Sequence, residues 1–441
     1  MASTNLSRTL SSGSASNKFT FSAWVKRSVD TAGRLLTATG SSGDTYFRFN
    51  GDATIEWSGD ASNASSAGYF ITNRKFDDYS GWYHLVIRFD STQGSASNRV
   101  RFYVNGVQEE SFSSYTDVNQ NAVDKINLSG NTLYIGGTVS SQYFHGLMSH
   151  VNYSDGYSYA PTEFGETDST TGEWKIKVSP SISYGTNGFF ILKDGATLTD
   201  SSPNSNNFAV ANGTLTATED CPSHVFATLN PLVLRKGTLT NGNLTHEGSG
   251  ATAPNNVISS LGVTSGKFYV EAKIITGNNY NAFGVVTEKN PYVNGGTDYL
   301  SNSNDALIYA YSDIYRGGGT ISGTYATLAV NDIVQIAIDA DNKFLYFGVN
   351  GTWQNSGNPA SGASGTGALN MTTYLGSDVT YFVAGETGGA GNTRKIEFNF
   401  GNGYFGTTAI SSEGTNASGI GKFEYDVPAG YTALSTKGLN E

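Results

Sequence analysis

The chain has 441 residues, too many for one ordinary hydrophobic core, and at about 100–200 residues per domain it predicts two or three domains. A formal net charge of −11, with no Lys/Arg-rich run, excludes nucleic acid and anionic bilayers as expected partners. Gly (54), Tyr (26) and Phe (24) are abundant while charged residues make up only 14%, a composition typical of short strands joined by many turns.

Membrane insertion and secretion are not expected from this sequence. No apolar stretch approaches the roughly 20 residues needed to span a bilayer. The N-terminal segment lacks the apolar core of a signal peptide. Cys221 is the only cysteine, which excludes an intramolecular disulfide and argues against a thiolate zinc site. These features predict folding in a reducing cytoplasm.

A strongly alternating segment in the first half, residues 82–90, predicts a β-strand. Leu85, Ile87 and Phe89 fall on one face, which we expect to face the core, and the other face is expected to face water. The next strand ends at Asn105-Gly106. This dipeptide favours a tight hairpin because both turn positions need positive φ, which Asn and Gly adopt most cheaply.

The same arrangement recurs in the second half, where residues 332–341 alternate and the following strand ends at Asn350-Gly351. No segment of useful length has the 3.6-residue period of an amphipathic helix. We therefore predict an all-β chain of two antiparallel β-sandwiches (jelly rolls) in tandem. The predicted domains are residues 1–159 and 237–441, and the turn-rich segment 160–236 either completes the first sandwich or connects the two.

The first half resembles a laminin-G or concanavalin A-like lectin sandwich. The resemblance rests on FSAWVKRS (21–28), WYHLV (82–86), FYVNGV (102–107) and LYIGG (133–137). The second half resembles a SPRY-type sandwich. That resemblance rests on SGKFYVEAKI (265–274), FGVV (283–286), DIVQIAIDADNKFLYFGVNGTW (332–353) and KIEFNFG (395–401). Both resemblances imply that the two β-sandwiches predicted above are concanavalin A-like.

The order of the two modules resembles structural proteins of tailed bacteriophages, especially marine, cyanophage-like ones. Further segments that carry this likeness are SRTLSS (7–12), the Asn- and Ser-rich stretch Asp200–Phe208, CPSHVFATLNPL (221–232) and PAGYTALS (428–435). The resemblance implies a virion protein, made in the host cytoplasm, which agrees with the missing signal peptide. Such proteins are usually called tail fibres or virion-associated adhesins.

Catalysis is not expected, and we assign no catalytic residue. Glycoside hydrolases of the concanavalin-like fold carry E-x-D-x-x-E on one strand, which places two carboxylates about 5–5.5 Å apart. Two fragments begin correctly, at Glu166 and at Glu424, but the third position is Thr171 in one and Ala429 in the other. His84 lies within a strand, where a histidine is more often packed or hydrogen-bonded than a base.

Calcium is an open alternative rather than an assigned cofactor. Lectin-like sandwiches bind it through loop carboxylates, carbonyls and amides. Candidate oxygen ligands are Asp52, Asp60, Asp77, Asp78 and Asp155. Because Asp-rich turns are common without metal, these residues define no site, and the metal content is left unknown.

Aromatic and polar side chains in loops are the materials of carbohydrate recognition. SPRY-like proteins bind partners through such loops, so the resemblance implies ligand-binding residues in the second half. The candidates are Tyr280, Tyr292, Tyr299, Tyr315, Arg316 and Trp353. A secondary candidate surface in the first half consists of Tyr46, Trp57 and Asp60. For each tyrosine the competing interpretation is packing within the sandwich.

The leading functional hypothesis is a non-enzymatic tail-fibre protein or adhesin that binds a host cell-surface glycan or receptor. An alternative is an architectural virion protein, in head decoration, a collar or fibre anchoring, that binds other virion subunits. A glycan depolymerase is a third hypothesis, which lacks its carboxylates. Phage fibres are often trimers, so a homo-oligomer is among the expected states, although no coiled-coil heptads are visible.

Overall fold

Strands dominate both halves of the chain, so the all-β prediction is confirmed. The computed structural model describes residues 3–10, 17–40, 43–59, 68–193, 195–248, 255–277, 281–289, 303–374, 378–386 and 394–440. The chain divides into unit 1, Met1–Ala217, and unit 2, Thr218–Glu441. In the described residues, no helix is both long and apolar enough to span a bilayer.

Unit 1 is a sandwich of two antiparallel sheets. Its described strands are β1 (Asn5–Thr9), β2 (Lys18–Arg27), β3 (Gly33–Gly40), β4 (Gly43–Phe49), β5 (Ile55–Ser58), β6 (Tyr69–Thr72), β7 (Tyr83–Asp90), β8 (Val100–Val104), β9 (Val107–Glu109), β10 (Phe112–Thr116), β11 (Thr132–Ile135), β12 (Gly146–Asp155), β13 (Gly165–Thr167), β14 (Trp174–Ile176), β15 (Phe189–Ile191) and β16 (Ala209–Asn212). Short 3-10 helices span Ala96–Asn98, Lys125–Asn127 and Pro161–Glu163.

The larger sheet of unit 1 has the strand order β10-β6-β5-β4-β3-β11-β1-β16, and the smaller has β15-β12-β2-β7-β8-β9. Inward residues of both sheets, including Phe21, Phe47 and Leu85, form one core. Strands β15 and β16 come from the turn-rich segment 160–236 and pair with β12 and β1. Phe226 and Leu229 of the same segment pack within unit 2.

Unit 2 is also a sandwich of two sheets. Its described strands are β17 (Thr238–Thr240), β18 (Thr245–Glu247), β19 (Val257–Val263), β20 (Lys267–Thr276), β21 (Asn281–Thr287), β22 (Ala306–Ala310), β23 (Asp313–Arg316), β24 (Gly319–Ile321), β25 (Ile333–Asp339), β26 (Phe344–Val349), β27 (Thr352–Trp353), β28 (Leu369–Asn370), β29 (Thr380–Glu386), β30 (Lys395–Asn399), β31 (Tyr404–Phe405), β32 (Thr408–Ala409) and β33 (Thr432–Ala433). Helical turns span Pro231–Val233, Pro359–Ser364, Met371–Tyr374 and Gly438–Asn440.

One sheet of unit 2 runs β17-β18-β30-β20-β25-β26-β27, with β28 paired to β26 and β33 paired in parallel to β20. The other runs β19-β29-β21-β22-β23-β24. Val270, Val285 and Ile336 belong to the core between them. A second aromatic cluster lies on the outer face of the first sheet, where Phe423 packs edge-on against Tyr269 with ring centroids 4.9 Å apart.

The two Asn-Gly turns close their hairpins in the same way. Asn105 and Gly106 have φ of 48° and 80°, and Asn350 and Gly351 have 50° and 82°, as a type I′ turn requires. The Asn105 backbone N–H donates to the carbonyl of His84 at 2.9 Å, and its side-chain Oδ1 accepts from the His84 N–H at 2.8 Å. Asn350 exchanges the same two bonds with Ile333, at 3.0 and 2.9 Å.

An aromatic side chain from a later segment covers each of these glycines. A Cβ on Gly106 would lie 2.5 Å from the Trp174 ring, and one on Gly351 would lie 2.9 Å from the Tyr425 ring. Such distances leave no room for any other residue. Each hairpin is therefore fixed by its own asparagine and by a covering segment, the hairpin β13–β14 in unit 1 and residues 402–435 in unit 2.

The expectation that the second face of these central strands meets water is wrong. His84 is fully buried on the outer face of β7, where its ring stacks on Trp24 with centroids 4.8 Å apart and its Nδ1 accepts a hydrogen bond from Trp174 Nε1 at 3.0 Å. In unit 2, Gln335 and Asp339 on the outer face of β25 are each 1% exposed. The covering segments, whose turn-rich sequences show no strong periodicity, bury these faces.

We expect Asn105→Ala to destabilise unit 1 by about 2 kcal/mol, because alanine disfavours positive φ and the bond to the His84 N–H is lost. Four of the five tryptophans lie in unit 1, so tryptophan fluorescence during chemical denaturation of the full chain reports its unfolding. The control is Asn121→Ala. Asn121 has a φ of 57° and is exposed, so only the smaller backbone cost of about 1 kcal/mol is expected. Equal losses in the two variants would contradict the role of the side-chain bond.

Candidate functional site

Three tyrosines stand in one row across the outer face of the eight-stranded sheet. The pairing registers place Tyr134 of β11 beside Thr37 of β3, Thr37 beside Tyr46 of β4, Tyr46 beside Ser58 of β5, and Ser58 beside Tyr69 of β6. Since neighbouring strands are about 4.8 Å apart, successive tyrosines in the row are separated by about 10 Å. We call these five residues the tyrosine row.

The row alternates between half-buried rings and small hydroxyl residues. Tyr134, Tyr46 and Tyr69 are each partly exposed, whereas Thr37 and Ser58 are almost fully buried. The Thr37 hydroxyl donates to the carbonyl of Gly137 at 2.9 Å. The Ser58 hydroxyl has no hydrogen-bond partner among the described residues. A buried polar atom without a partner is uncommon and calls for an explanation.

Glu56 organises the polar side chains beside the row. Its Oε1 accepts a hydrogen bond from the Tyr46 hydroxyl at 2.5 Å, and its Oε2 accepts from Arg48 Nε at 3.1 Å and Nη2 at 2.7 Å. The Glu56 side chain is only 5% exposed and that of Arg48 is 24% exposed. Because the strand period is two, Glu56 and Arg48 point outward while Phe47 and Trp57 point into the core.

Two guanidinium groups lie close to the Tyr46 ring. Arg34 lies 4.4 Å and Arg48 lies 5.1 Å from the centroid of its ring. Arg34 is fixed in turn by Asp44 at 2.8 Å and by the Gln142 side chain at 2.7 Å. Burial and the hydrogen bond to Glu56 raise the pKa of Tyr46 well above its ordinary value, so its hydroxyl stays protonated and donates.

The charges of this face balance, because Asp44 and Glu56 each pair with an arginine. Both guanidiniums and the Tyr46 ring are held in place by one another, so the polar groups are ordered before any ligand arrives. Fixed donors and acceptors beside partly exposed tyrosines suit a neutral, hydroxyl-rich ligand better than a polyanion. Each carboxylate among these side chains is already engaged by an arginine.

The structure separates the three residues predicted for the first half. Tyr46 lies at the centre of the row. Trp57 is buried at 2% exposure and packs against Phe70 and Phe89, so it offers no surface to a ligand. Asp60 lies outside the described residues. The alternation in β4 and β5 contains the signal that would have distinguished Tyr46 from Trp57. Phe47 points into the core, and Trp57, its cross-strand partner, points the same way, whereas Tyr46 points outward.

The candidates in the second half do not meet at one place in the described structure. Tyr315 and Arg316 are in β23, where Tyr315 packs on the outer cluster of its sheet. Trp353 is in β27 of the other sheet and is partly buried beside Tyr269, with ring centroids 6.4 Å apart. The remaining candidates, Tyr280, Tyr292 and Tyr299, lie outside the described residues.

The carboxylates that begin a hydrolase-like spacing serve local turns. Asp168 accepts hydrogen bonds from the N–H groups of Thr170 and Thr171, which lower its pKa to about 2. Asp426 accepts from the N–H and hydroxyl of Thr415. Both carboxylates are therefore engaged in hydrogen bonds that order their local loops.

Three of the calcium candidates, Asp52, Asp78 and Asp155, accept local hydrogen bonds. Asp52 accepts from Thr54 and Asp78 accepts from Ser80, as in ordinary polar turns. Asp155 accepts from the N–H of Asn187. The described part of the chain contains no group of three or more His, Cys, Asp or Glu residues that could hold a metal ion.

Comparison with known proteins supports the lectin-like fold. Residues 3–163 match the Laminin G family described as the concanavalin A-like lectin/glucanases superfamily. The laminin-G-like prediction for the first half is thereby confirmed. No curated protein matches the chain.

Solved structures add SPRY-like and pentraxin neighbours. The SPRY domain of human HERC1 is 16% identical, with a TM-score of 0.31, and the match covers 38% of this chain and 96% of that one. A native heptameric SAP-like pentraxin from Limulus polyphemus is 19% identical, with a TM-score of 0.26, over 36% of this chain and 72% of that one.

The buried His84 should make unit 1 less stable in mild acid. Burial lowers the pKa of His84 to about 3, while in the unfolded chain it is about 6.5. The unfolded state therefore binds the extra proton first, and stability falls as pH decreases from about 6.5 towards 3. Between pH 7 and 5 we expect a loss of about 2 kcal/mol that His84→Gln removes, measured by denaturation at each pH. The same pH dependence in both proteins would contradict a neutral, buried His84.

Glu56→Gln should destabilise unit 1 by about 2 kcal/mol, because it leaves the Arg48 guanidinium without its counter-ion in a partly buried position. The matched control is Glu166→Gln, which removes an exposed pairing with Lys175 and should change stability by less than about 0.5 kcal/mol. Chemical denaturation followed by tryptophan fluorescence distinguishes the two. Equal stability of Glu56→Gln and the unmodified protein would show that the network is not ordered as described.

Proposed function

We propose that the chain is a non-enzymatic binding protein that holds a neutral glycan on the tyrosine row of unit 1. The observation that carries the proposal is the row itself, in which Tyr134, Tyr46 and Tyr69 alternate with Thr37 and Ser58 across five adjacent strands. Tyrosine supplies both an apolar ring face and a polar tip. Thr37 and Ser58, which are buried between the tyrosines, keep the spaces between the rings small and flat.

The match of residues 3–163 to a superfamily of lectins and glucanases supports a carbohydrate as the ligand. The charge-balanced arginine and carboxylate pairs support a neutral one. The engagement of Asp168 and Asp426 in turns supports a non-enzymatic role. A depolymerase acting at this site would need a second carboxylate about 5–5.5 Å or 6.5–9.5 Å from Glu56, according to its mechanism.

We further propose that this binding serves host adsorption by a tailed bacteriophage, with the chain in the virion as a tail fibre or adhesin. The support is the sequence resemblance across both halves to phage structural proteins. The ligand would then be a bacterial surface polysaccharide. The second half, whose sequence resembles a SPRY-type sandwich, would bind other virion proteins or a host receptor through its loops.

The test is binding of the fluorescently labelled full chain to an array of bacterial capsular and lipopolysaccharide glycans, repeated after periodate oxidation of the array. Tyr69→Ala should weaken binding about tenfold, since a buried aromatic contact is worth about 1–1.5 kcal/mol. Ser58→Ala is a control within the row. It removes a buried, unpartnered hydroxyl that a ligand does not reach, so binding and stability should both stay nearly unchanged.

Three variants serve as controls for location. Tyr157→Ala removes an exposed tyrosine elsewhere in unit 1, and Tyr315→Ala and Trp353→Ala remove the second-half candidates. Periodate-sensitive binding that survives these three changes and is weakened about tenfold in Tyr69→Ala supports the proposal. Binding lost only in Tyr315→Ala or Trp353→Ala would move the ligand site to unit 2. Release of reducing sugar during the assay would contradict a non-enzymatic role.

A further inference from the structure

A groove opens along one side of unit 1, where the two sheets end in neighbouring edge strands. It encloses about 450 Å³ and is lined from β8 and β9 on one wall and from β10 on the other. Its floor is apolar, because Val100 and Phe102 belong to the core of the sandwich. Phe112 and Tyr115 form the opposite wall, with ring centroids 5.4 Å apart. Tyr115 is 39% exposed. The groove is distinct from the tyrosine row.

Strand β10 has one free edge. In the described structure it pairs with β6 on one side only, and Ser113–Thr116 are exposed. After an irregularity between Phe112 and Ser114, the register is regular from Ser114 to Thr116. A strand edge of this kind presents backbone N–H and C=O groups that can pair with another extended chain.

Lysine, proline and inward charges, three of the usual protections of an edge strand, are missing from β10 itself. Edge strands are commonly guarded by lysine, by proline or by inward charges, whereas the sequence Phe-Ser-Ser-Tyr-Thr contains no charged residue and no proline. Charges occur only at its ends, where Glu109 and Glu110 precede the strand and Asp117 follows it. Glu110 and Asp117 are exposed. The opposite wall carries Arg101, which is engaged with the side chain of Asn98.

We propose that an extended segment of a partner polypeptide adds to β10 as a further strand and lays alternate apolar side chains into the groove. The acidic ends of β10 select a segment with basic residues on both sides of an uncharged stretch. This proposal does not depend on glycan binding at the tyrosine row.

The same charges argue against a second copy of this chain as the occupant. Antiparallel pairing of two β10 strands would bring Glu110 of one copy towards Asp117 of the other at both ends of the pair. Like charges placed opposite each other destabilise a strand pair. A partner strand with lysine or arginine at those places gains the corresponding attraction.

The experiment uses a fluorescein-labelled peptide with alternating valine and threonine between two terminal lysines, titrated with the full chain and followed by fluorescence anisotropy. A peptide with glutamates in place of the lysines should bind about tenfold more weakly, since two favourable charge pairs become two unfavourable ones. Strand addition uses only one edge of the peptide. N-methylation of the alternate residues whose N–H groups face β10 should therefore abolish binding. N-methylation of the other alternate residues should leave binding intact.

The variant is Glu110→Lys with Asp117→Lys, which should reverse the preference between the two peptides. The control is Glu173→Lys with Glu413→Lys, two exposed acids that do not line the groove, whose reversal changes the net charge equally and should not alter the preference. Circular dichroism checks that both variants fold. The proposal would be overturned if the lysine peptide did not bind or if the two N-methylated peptides behaved alike. It would also be overturned if the β10 variant kept the original preference between the lysine and glutamate peptides. Self-association through β10, measured by sedimentation, would overturn it in favour of a second copy.

Discussion

Each sandwich depends on a central strand, β7 or β25, that is buried on both faces. Hydrogen bonds tie the start of each strand to an Asn-Gly turn. Asn105 exchanges two hydrogen bonds with His84 at the start of β7, and Asn350 exchanges two with Ile333 at the start of β25. The glycine that follows is so closely covered by Trp174 or Tyr425 that no Cβ fits. This arrangement fixes the register of the central strands and, through the ladders that extend from them, the register of each sheet.

Closure of these faces determines where unit 1 can present a ligand site. The outer face of its six-stranded sheet is occupied by the stack of Trp24, His84 and Trp174. The outer face of its eight-stranded sheet instead carries the tyrosine row and the two arginine–carboxylate pairs beside it. A rigid sheet holds these groups in position, which reduces the ordering cost of binding.

Sequence reasoning predicted the strands, the hairpins and the fold class, because period-two alternation and Asn-Gly turns are local signals. It identified Tyr46 but not the row, since Tyr134, Thr37 and Tyr69 meet only through pairings between strands that are distant in sequence. Trp57 was misplaced because its side of the strand was not compared with that of Phe47. The covered outer faces were also missed, because the turn-rich segments that bury them have no periodic pattern. The groove beside β10 exists because β10 and β9 are edge strands of their sheets. Alternation along the sequence does not predict which strands lie at an edge.

The central claim is that unit 1 binds glycan on the outer face of its eight-stranded sheet. The most direct test is hydrogen–deuterium exchange of the full chain, with and without a saturating amount of the glycan that binds best on the array. The account predicts slower exchange in β3 to β6 and β11 and no change in β22 to β27. Protection confined to the loops and strands of unit 2, with β3 to β6 unchanged, would contradict it.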